Sequence, residues 1–510
     1  MTTFPYACPR EFVTCVDVAC LELNYLHNTM NFYFEGAKVL DRLDAKQGSI
    51  KGVIATLPEK DRKRTAALVI ETLKYKSVLN DVLDASKLLK EEKKITSRNL
   101  ALVLLHDLLL AKGIQASEGP VKQAILRHKT RLHSEFTRIK IKKGVKSVTE
   151  LAATGDERAA KIPRYVRINT SCWSTEEAVE TFIARGYSLD GPFAHSKGFA
   201  RDEHIPDLLL FSPDIQLSDD PLYTAGKLIL QDKASCFPAY ILSPPDDDNG
   251  VVIDATAAPG NKTSHLSALM QNKGTLYAFE RDKRRFATLQ MMLAKARCKN
   301  VQPVNADFLT VSPDDPKYNS VTHILLDPSC SGSGIVNRLD HLLESESESM
   351  DDRETRLNKL ADFQLMMIKH AMKFPSVKRI VYSTCSIHAA ENEHVVRDAL
   401  QSEECLSGRF DLASPGDVLP AWKRRGIPEE MNNPADAASL VRCSPGEDAT
   451  NGFFVSLFVR QISTAEAENK KRKGAPCANG DEETPSEDTA IRRRNKKKKR
   501  KKPQALTVSS

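Results

Sequence analysis

The second half of the chain alternates between short, continuous apolar runs and amphipathic segments. Runs such as VVIDATA from residue 251 and HILLDPS from residue 323 indicate strands, and the segments between them have apolar residues every three or four positions. Strands of this kind that alternate with helices predict an α/β fold with a doubly wound, mostly parallel sheet. The late run GFFVSLFVRQ from residue 452 predicts a strand that pairs antiparallel near an edge.

The first part of the chain has a helical pattern instead. The segment SRNLALVLLHDLLLAKG begins at Ser97, a residue type that caps helices, and ends at Gly113. A further helix is predicted over residues 120–142. Its basic outer positions could contact phosphates or could form an ordinary solvated face, and the sequence leaves both open. These positions are Lys122, Arg127, Lys129, Arg131, Arg138, Lys140, Lys142 and Lys143.

Between these two regions the pattern is that of a small α+β unit. RYVRINT from residue 164 and DLLLFSP from residue 207 indicate strands, and STEEAVETFIARGY from residue 174 indicates a capped helix. These changes of pattern predict the domain organisation. The expected parts are a helical domain that ends near residue 145, a small α+β subdomain (146–245), an α/β domain (246–462) with an acidic loop at about 335–356, and a disordered basic tail (463–510).

Composition places much of the positive charge in that tail. The 510-residue chain has a net charge of +7, and RRRNKKKKRKK at 492–502 holds ten basic residues, so that the remainder carries about −3. Such a run predicts a nuclear or nucleolar address or a phosphate-binding tail. No apolar run of about 18 residues is present, so no membrane span is expected. The eleven cysteines include no C-x-x-C pair, so no metal site is expected.

The turn after the first strand of the predicted sheet has the features of a ligand site. In VVIDATAAPGNKTSHL, Asp254 ends the strand and small residues follow, so that a ligand can approach the backbone and a side chain at Gly260 would enter that space. The turn matches neither the dinucleotide fingerprint nor the Walker motif. The next three predicted strands end at Glu280, Asp307 and Asp327. Each acid alone could be a helix cap, but four together suit an adenosine with a cationic end, as in S-adenosylmethionine.

Two further turns each contain a cysteine, Cys330 in LLDPSCSGSG and Cys385 in YSTCSIHAAENE. With DATAAPGNKT and the upstream GKLILQDKASCFPAYIL, these motifs resemble the Sun/RsmB-type family of RNA cytosine-5 methyltransferases over about residues 163–460. QGSIKGV, PRYVRINT and FPSVKRIVYSTCS are similar to its eukaryotic nucleolar subgroup, which modifies large-subunit ribosomal RNA. That subgroup begins near Met30 of this chain, so the resemblance implies that residues 1–29 are an N-terminal extension, 30–145 the helical domain, 146–245 an RNA-recognition subdomain and 246–462 the catalytic domain. The resemblance implies a Rossmann-like class I methyltransferase fold.

The resemblance also implies the site. Thr256 departs from the D-x-C-A-A-P-G pattern of the family, and its small polar hydroxyl is expected to do little damage. Lys262 is interpreted as a cation that orders the site, and His388 as a surface histidine at a helix start rather than a thiol base. The implied S-adenosylmethionine site consists of Thr256, Ala257, Ala258, Pro259, Gly260, Asn261, Lys262, Glu280, Arg285, Asp307 and Asp327.

The chemistry of the family explains a reactive cysteine. A thiolate that adds to carbon 6 of cytosine makes carbon 5 nucleophilic. The residues alone do not assign this role, because DNA cytosine-5 methyltransferases use the position that Cys330 resembles. The RNA family uses the position of Cys385, which makes Cys330 the cysteine that assists product release and Asp327 the residue that holds the cytosine edge.

The resemblance implies a partner and a location as well. The expected substrate is large-subunit ribosomal RNA, with pre-ribosomal particles as further partners, and the expected protein is a nuclear and nucleolar monomer. Two alternatives remain from the sequence. One is an enzyme acting on another RNA or on DNA, although the chain lacks room for a DNA target-recognition segment. The other is a non-catalytic ribosome-assembly factor.

Overall fold

The computed structural model describes residues 15–152, 156–336, 342–343 and 350–461. All of them lie in one compact unit, Met1–Gln461. The predictions for the basic tail and for most of the acidic loop fall outside the described residues. None of the described helices combines the length and apolar character that a membrane crossing requires.

The N-terminal region is a bundle of helices around one buried helix. In α6, residues 100–105 are all buried, because neighbouring helices cover the segment on every side. The Ser97 hydroxyl accepts a hydrogen bond from the Leu100 N–H at 3.0 Å, which starts this helix as predicted. The helices are α1 (Cys15–Asp44), α2 (Ile50–Ala55), α3 (Glu59–Lys74), α4 (Lys76–Ser86), α5 (Leu88–Glu91), α6 (Arg98–Leu110), α7 (Pro120–Arg127) and α8 (Lys129–Lys142).

The basic positions of α7 and α8 are largely paired with acids. Arg127 and Arg131 reach back to Glu92 and Glu91 at 2.7 and 2.8 Å. Five of the eight basic positions make such ion pairs, which favours a structural face over a phosphate contact. The other three pairs are Lys122 with Glu118, Arg138 with Glu135, and Lys143 with Asp81.

The middle region is a small antiparallel sheet with the strand order β2-β3-β1-β4. Ser174 and Glu177 form a capping box at the start of α9, as the sequence STEE predicts. The short strands β2 and β4 were not predicted, because three residues give no readable period. The elements are β1 (Arg164–Ile168), α9 (Thr175–Ala184), β2 (Phe199–Arg201), β3 (Leu208–Phe211), α10 (Pro221–Thr224) and β4 (Leu228–Leu230).

The C-terminal region is an α/β unit around an eight-stranded, mostly parallel sheet. Its strand order is β10-β12-β9-β8-β5-β6-β7, and β11 pairs with β12. The strands β5 to β9 are parallel, whereas β12 runs antiparallel to β9 near one edge, which confirms the predicted fold class. The helices are α11 (Lys233–Leu242), α12 (Asn261–Leu269), α13 (Lys283–Lys295), α14 (Met350–Met372), α15 (Glu393–Leu400) and α16 (Glu403–Gly408). The strands are β5 (Val251–Asp254), β6 (Thr275–Phe279), β7 (Val301–Val304), β8 (His323–Leu326), β9 (Arg379–Thr384), β10 (Phe410–Leu412), β11 (Val441–Cys443) and β12 (Phe453–Arg460).

The topology determines where the site lies. Parallel strands present their carboxyl ends at one edge of the sheet, so the turns after β5, β6, β7, β8 and β9 meet there.

The strands β10 and β11 were not predicted, because three residues give no readable period. The predicted domain boundaries stay predictions.

Candidate active site

A cavity of about 820 Å³ lies at the carboxyl ends of the parallel strands. It brings together eleven of the thirteen residues predicted for the site. Ala257 and Gly260 do not line it. The eleven are Thr256, Ala258, Pro259, Asn261, Lys262, Glu280, Arg285, Asp307, Asp327, Cys330 and Cys385.

The first turn is built around Asp254, which points away from the cavity. Its carboxylate accepts hydrogen bonds from the Thr263 hydroxyl at 2.7 Å and from the Thr256 N–H at 3.3 Å. Burial raises the pKa of Asp254 to about 6, although the bonds from Thr263 and Thr256 oppose the shift. The expectation that four strand-end acids face a ligand is therefore wrong. Glu280, Asp307 and Asp327 line the cavity. Asp254 does not, and its carboxylate stabilises the turn through the bonds from Thr263 and Thr256.

Gly260 matters for a different reason from the one expected. Its φ of +112° lies in a region that favours glycine. A Cβ there would lie 3.2 Å from Leu289 Cδ1 and 3.4 Å from Met292 Cβ, both on α13. The expectation that a side chain at Gly260 would enter the ligand space is wrong, because it would enter the packing between α12 and α13.

The acids after β6 and β7 are oriented by backbone N–H groups of their own turns. Glu280 accepts a hydrogen bond from the Asp282 N–H at 2.8 Å, and Arg285 lies 3.5 Å from its other oxygen. Arg285 also donates to the Ala258 carbonyl at 2.8 Å, so it ties this acid to the first turn. Asp307 accepts the Leu309 N–H at 3.0 Å. Both carboxylates are oriented before any ligand arrives.

Asp327 and Lys262 form an ion pair at the centre of the cavity. Lys262 Nζ lies 2.8 Å from Asp327 Oδ2 and donates to the Ser235 hydroxyl at 3.1 Å. Burial alone would lower the pKa of Lys262, but the charges of Asp327 and Cys385 outweigh it, so this pKa lies above its ordinary value. The Ser383 hydroxyl donates to Asp327 Oδ1 at 2.8 Å, which fixes the carboxylate on its other side.

Thr256 contributes a bond of its own to this arrangement. Its hydroxyl accepts the Asp327 N–H at 2.9 Å and so joins the turn after β5 to the turn after β8. The departure from the cysteine of the family pattern therefore keeps a polar link, in agreement with the expectation of little damage.

The two cysteine turns converge so closely that Cys330 Sγ lies 2.9 Å from Cys385 Sγ. The hydrogen bond to Cys385 and burial raise the pKa of Cys330 well above its ordinary value, and the charges of Asp327 and Glu391 add to the effect. The raised pKa favours the thiol form of Cys330, and the two sulfurs share a hydrogen bond in which either can donate. Neither cysteine forms a disulfide bond.

Backbone contacts fix this approach. The Gly334 N–H donates to the Cys385 carbonyl at 2.9 Å, and the Gly452 N–H donates to the Gly334 carbonyl at 2.7 Å. A Cβ on Gly334 would lie 2.2 Å from the Gly452 oxygen, so only glycine permits the contact. The hydroxyls of Ser331, Ser333 and Ser386 join the two turns further.

His388, which was interpreted as a surface histidine, precedes a short 3₁₀-helix, Ala389–Glu391, and does not line the cavity.

Sequence reasoning missed several residues of this region. Glu391 of that helix is buried and contacts the Cys330 turn, and the run ENE after the cysteine was the signal that could have indicated it. Other residues that line the cavity come from distant segments: Gln231, Asp232, Ser235, Phe363, Met367, Asn451 and Phe453.

Known families and relatives match this chain over most of its length. The family described as 16S rRNA methyltransferase RsmB/F matches residues 239–459. The N-terminal and ferredoxin-like domains of NOL1/NOP2/Sun domain family member 5 match residues 63–152 and 162–231.

Two named relatives are similar over nearly their full lengths. The 25S rRNA (cytosine-C(5))-methyltransferase rcm1 of Schizosaccharomyces pombe is 45% identical over 428 residues, 84% of this chain and 91% of the relative. The 28S rRNA (cytosine-C(5))-methyltransferase of Mus musculus is 41% identical over 441 residues, 84% and 91% of the two chains. The crystal structure of PH0851 shares the fold, with a TM-score of 0.53 and 20% identity over 79% of this chain and 91% of the other.

The fold and the site together define a class I methyltransferase. Within that class the similarities are specific. The chain belongs to the RsmB/F-type family of RNA cytosine-C5 methyltransferases, in its NSUN5 group, which confirms the family indicated by the sequence motifs.

Proposed function

We propose that this protein transfers a methyl group from S-adenosylmethionine to carbon 5 of a cytosine in large-subunit ribosomal RNA, through a covalent bond from Cys385. The relatives of the NSUN5 group, which are named as methyltransferases of 25S and 28S rRNA, support the substrate. The contact of the two cysteine sulfurs at 2.9 Å beside Asp327 carries the mechanism.

The cavity fits S-adenosylmethionine in size and in chemistry. Its volume of about 820 Å³ falls within the range of small-molecule sites, roughly 300–1,000 Å³. Glu280 suits the ribose hydroxyls, Asp307 suits the adenine amine, and Asp327 suits the region of the methionine end. When bound, this cofactor supplies an electrophilic methyl group on a sulfonium.

Cys385 acts on the cytosine ring. Its thiolate forms a bond to carbon 6, and the electron pair of the C5=C6 double bond moves to carbon 5, where the methyl group is accepted. A base then takes the proton from carbon 5, the electron pair of that C–H bond re-forms the C5=C6 double bond, and the Sγ–C6 bond breaks with its electron pair returning to Sγ. Asp327, held by Lys262 and Ser383, accepts from the exocyclic amine and keeps the ring in position.

The environments of the two sulfurs support this assignment over its reverse. Cys330 is hydrogen-bonded to Cys385 and lies near Asp327 and Glu391, which together disfavour its thiolate. A DNA-type mechanism would need Cys330 to attack. The thiol of Cys330 instead suits proton donation during release of the product.

A denaturing gel tests the assignment. Cys385→Ala should lose activity and leave no RNA-linked protein, whereas Cys330→Ala should accumulate protein joined covalently to RNA because release stalls. Cys405→Ala is the matched control, since its thiol is buried elsewhere. An RNA-linked band from Cys385→Ala, with none from Cys330→Ala, would reverse the roles. Absence of the modified base in ribosomal RNA from cells without the protein, read by bisulfite sequencing, tests the substrate.

The location follows from the same substrate. The protein acts as a monomer in the nucleus and nucleolus, on ribosomal RNA or pre-ribosomal particles, and the ten basic residues at 492–502 contribute a salt-sensitive RNA affinity. Removal of residues 463–510 should reduce nucleolar retention and leave turnover at saturating RNA unchanged. Nucleolar concentration of the truncated protein would contradict the role of the tail.

A further inference from the structure

One buried acid close to the cysteines has no part in the mechanism above. Glu391 is fully buried and does not line the cavity. Its Oε1 accepts the N–H of Ser331, the residue after Cys330, at 2.8 Å, and the side-chain amide of Gln364 at 3.1 Å. Its Oε2 has no hydrogen-bond partner among the residues that the structure describes.

Residues of β9, of α14 and of the turn that contains Cys330 surround Glu391. Tyr382 of β9 donates to the Glu391 carbonyl at 2.5 Å and to the Gln364 side chain at 2.9 Å. Gln364 of α14 donates to the Ser329 carbonyl at 3.0 Å, on the other side of Cys330. Glu391 and Gln364 therefore hold the backbone on both sides of Cys330.

The charged and titratable groups around Cys330 are mostly acids. They are Asp327 after β8, Cys385 after β9, Tyr382 within β9 and Glu391, and the cation Lys262 is paired with Asp327. A second negative charge close to a buried carboxylate is unfavourable, because little water is present to screen the repulsion.

We propose that Glu391 is a positioning residue that assigns the roles of the two cysteines: it holds the turn of Cys330 and keeps that thiol protonated, which leaves Cys385 as the thiolate. The proposal rests on the proposed covalent function and adds a group that biases the choice between two sulfurs in contact. The hydrogen bond to Cys385 and burial are the larger causes of the raised pKa of Cys330, and the charge of Glu391 adds to them.

The Glu391→Gln variant separates charge from geometry. A glutamine oxygen can still accept the Ser331 N–H, but the negative charge is removed. We expect Cys330 to react with iodoacetamide about tenfold faster at pH 8 in the folded protein, the effect of a thiol pKa lowered by about one unit. The rate is read for the Cys330 peptide by mass spectrometry, in a Cys385→Ala background so that only one active-site thiol reacts.

Glu391→Asp is the matched control. It keeps the charge but is one methylene shorter, so Cys330 should stay slow to react even if the Ser331 contact is weakened. An unchanged Cys330 rate in Glu391→Gln, or an equal acceleration in Glu391→Asp, would overturn the charge role. If the glutamine variant does not fold, Glu391→Ala replaces it, because alanine also removes the charge: a faster Cys330 rate supports the proposal and an unchanged rate overturns it.

This experiment is independent of the RNA reaction. A shifted Cys330 reactivity together with a failed gel assay would keep the electrostatic role of Glu391 and discard the covalent mechanism. A successful gel assay with unshifted reactivity would discard only the role of Glu391.

Discussion

The two ends of the cavity are built in different ways. At the β5–β7 edge, the acids are held by their own turns: the Thr256 N–H donates to Asp254, the Asp282 N–H to Glu280 and the Leu309 N–H to Asp307, each two residues along the chain. At the β8–β9 edge, Cys330 contacts Cys385 across 55 positions, and Ser331 contacts Glu391 across 60.

Under the proposed function, this difference separates cofactor binding from reaction. The β5–β7 edge offers acceptors that are fixed locally, which suits the binding of a cofactor by a preorganised site. The β8–β9 edge acquires its chemistry only when two distant turns meet, because the state of each sulfur depends on the other. Substitutions should therefore act locally at the first edge and across both turns at the second.

The largest effect on turnover and stability is expected at Lys262, because its ion pair with Asp327 joins the two edges. In Lys262→Met, the half-buried Asp327 carboxylate would lose its cation, and the free energy of unfolding should fall by less than the roughly 3–5 kcal/mol that breaking a fully buried pair costs. Turnover should fall by about 100-fold or more, because Asp327 loses the cation that orients it beside the cysteines and a small misplacement can cost that factor. Chemical denaturation and single-turnover methylation measure the two effects.

Lys262→Arg is the control that keeps the charge, and it should retain most of the stability. The double variant Lys262→Met with Asp327→Asn should regain stability but not activity. A Lys262→Met protein as stable and active as the original would mean that the pair does not join the two edges.

The next effect concerns Asp254 and pH. Its pKa in the folded protein is about 6, above the ordinary 3.8, so the unfolded chain loses this proton first as pH rises. Stability is therefore fully present below about pH 4 and falls as pH rises to about 6, by at most about 2–3 kcal/mol for a shift of two units. Asparagine has no proton to lose at this position. The unfolding free energy of Asp254→Asn relative to that of the original protein should therefore rise between pH 4 and 6 and stay constant above pH 6.

Denaturant unfolding at several pH values measures that difference. Asp219→Asn, on the exposed surface of the small sheet region, is the control for removing one negative charge from the chain. If the difference in unfolding free energy between Asp254→Asn and the original protein is independent of pH, burial does not raise the pKa of Asp254.

A smaller effect is expected at Gly260. An alanine at its φ of +112° is strained by about 1–2 kcal/mol, and its Cβ would also press on Leu289. Gly113→Ala is the matched control, because Gly113 has a φ of +94° and open space around it. If both variants lose the same stability, the contact with α13 contributes nothing; a larger loss at Gly260 supports the packing assignment. Calorimetry should show only a secondary loss of S-adenosylmethionine affinity.

The smallest effect is expected for Thr256→Cys, which restores the residue of the family pattern. The thiol is a weaker acceptor for the Asp327 N–H, so the loss should be about 1 kcal/mol or less. Thr256→Val, which removes the acceptor but keeps the shape, should lose more. Equal melting temperatures for the cysteine and valine variants would contradict a role for this bond between the edges.

Local signals in the chain predicted the three structural regions and the family. Continuous apolar strands, the caps at Ser97 and Ser174 and three ordered motifs predicted the helical region, the small sheet and the parallel sheet. Eleven of the thirteen predicted site residues line one cavity, since residues at the ends of parallel strands lie at the same edge of the sheet, and their roles stay predictions.

The contacts of individual residues become visible only in three dimensions. The sequence suggested that Asp254 and Gly260 contact a ligand, but Asp254 accepts a hydrogen bond from Thr263 of α12 and a side chain at Gly260 would contact α13. For the basic positions of α7 and α8 the sequence left both a phosphate contact and a solvated face open, and acids from α5 and other segments pair with five of them. The protonation of Cys330 depends on Cys385, Asp327 and Glu391, which meet through long-range folding. Hydrogen bonds and charge interactions act over a few ångströms in space, and the order of residues along the chain does not contain those distances.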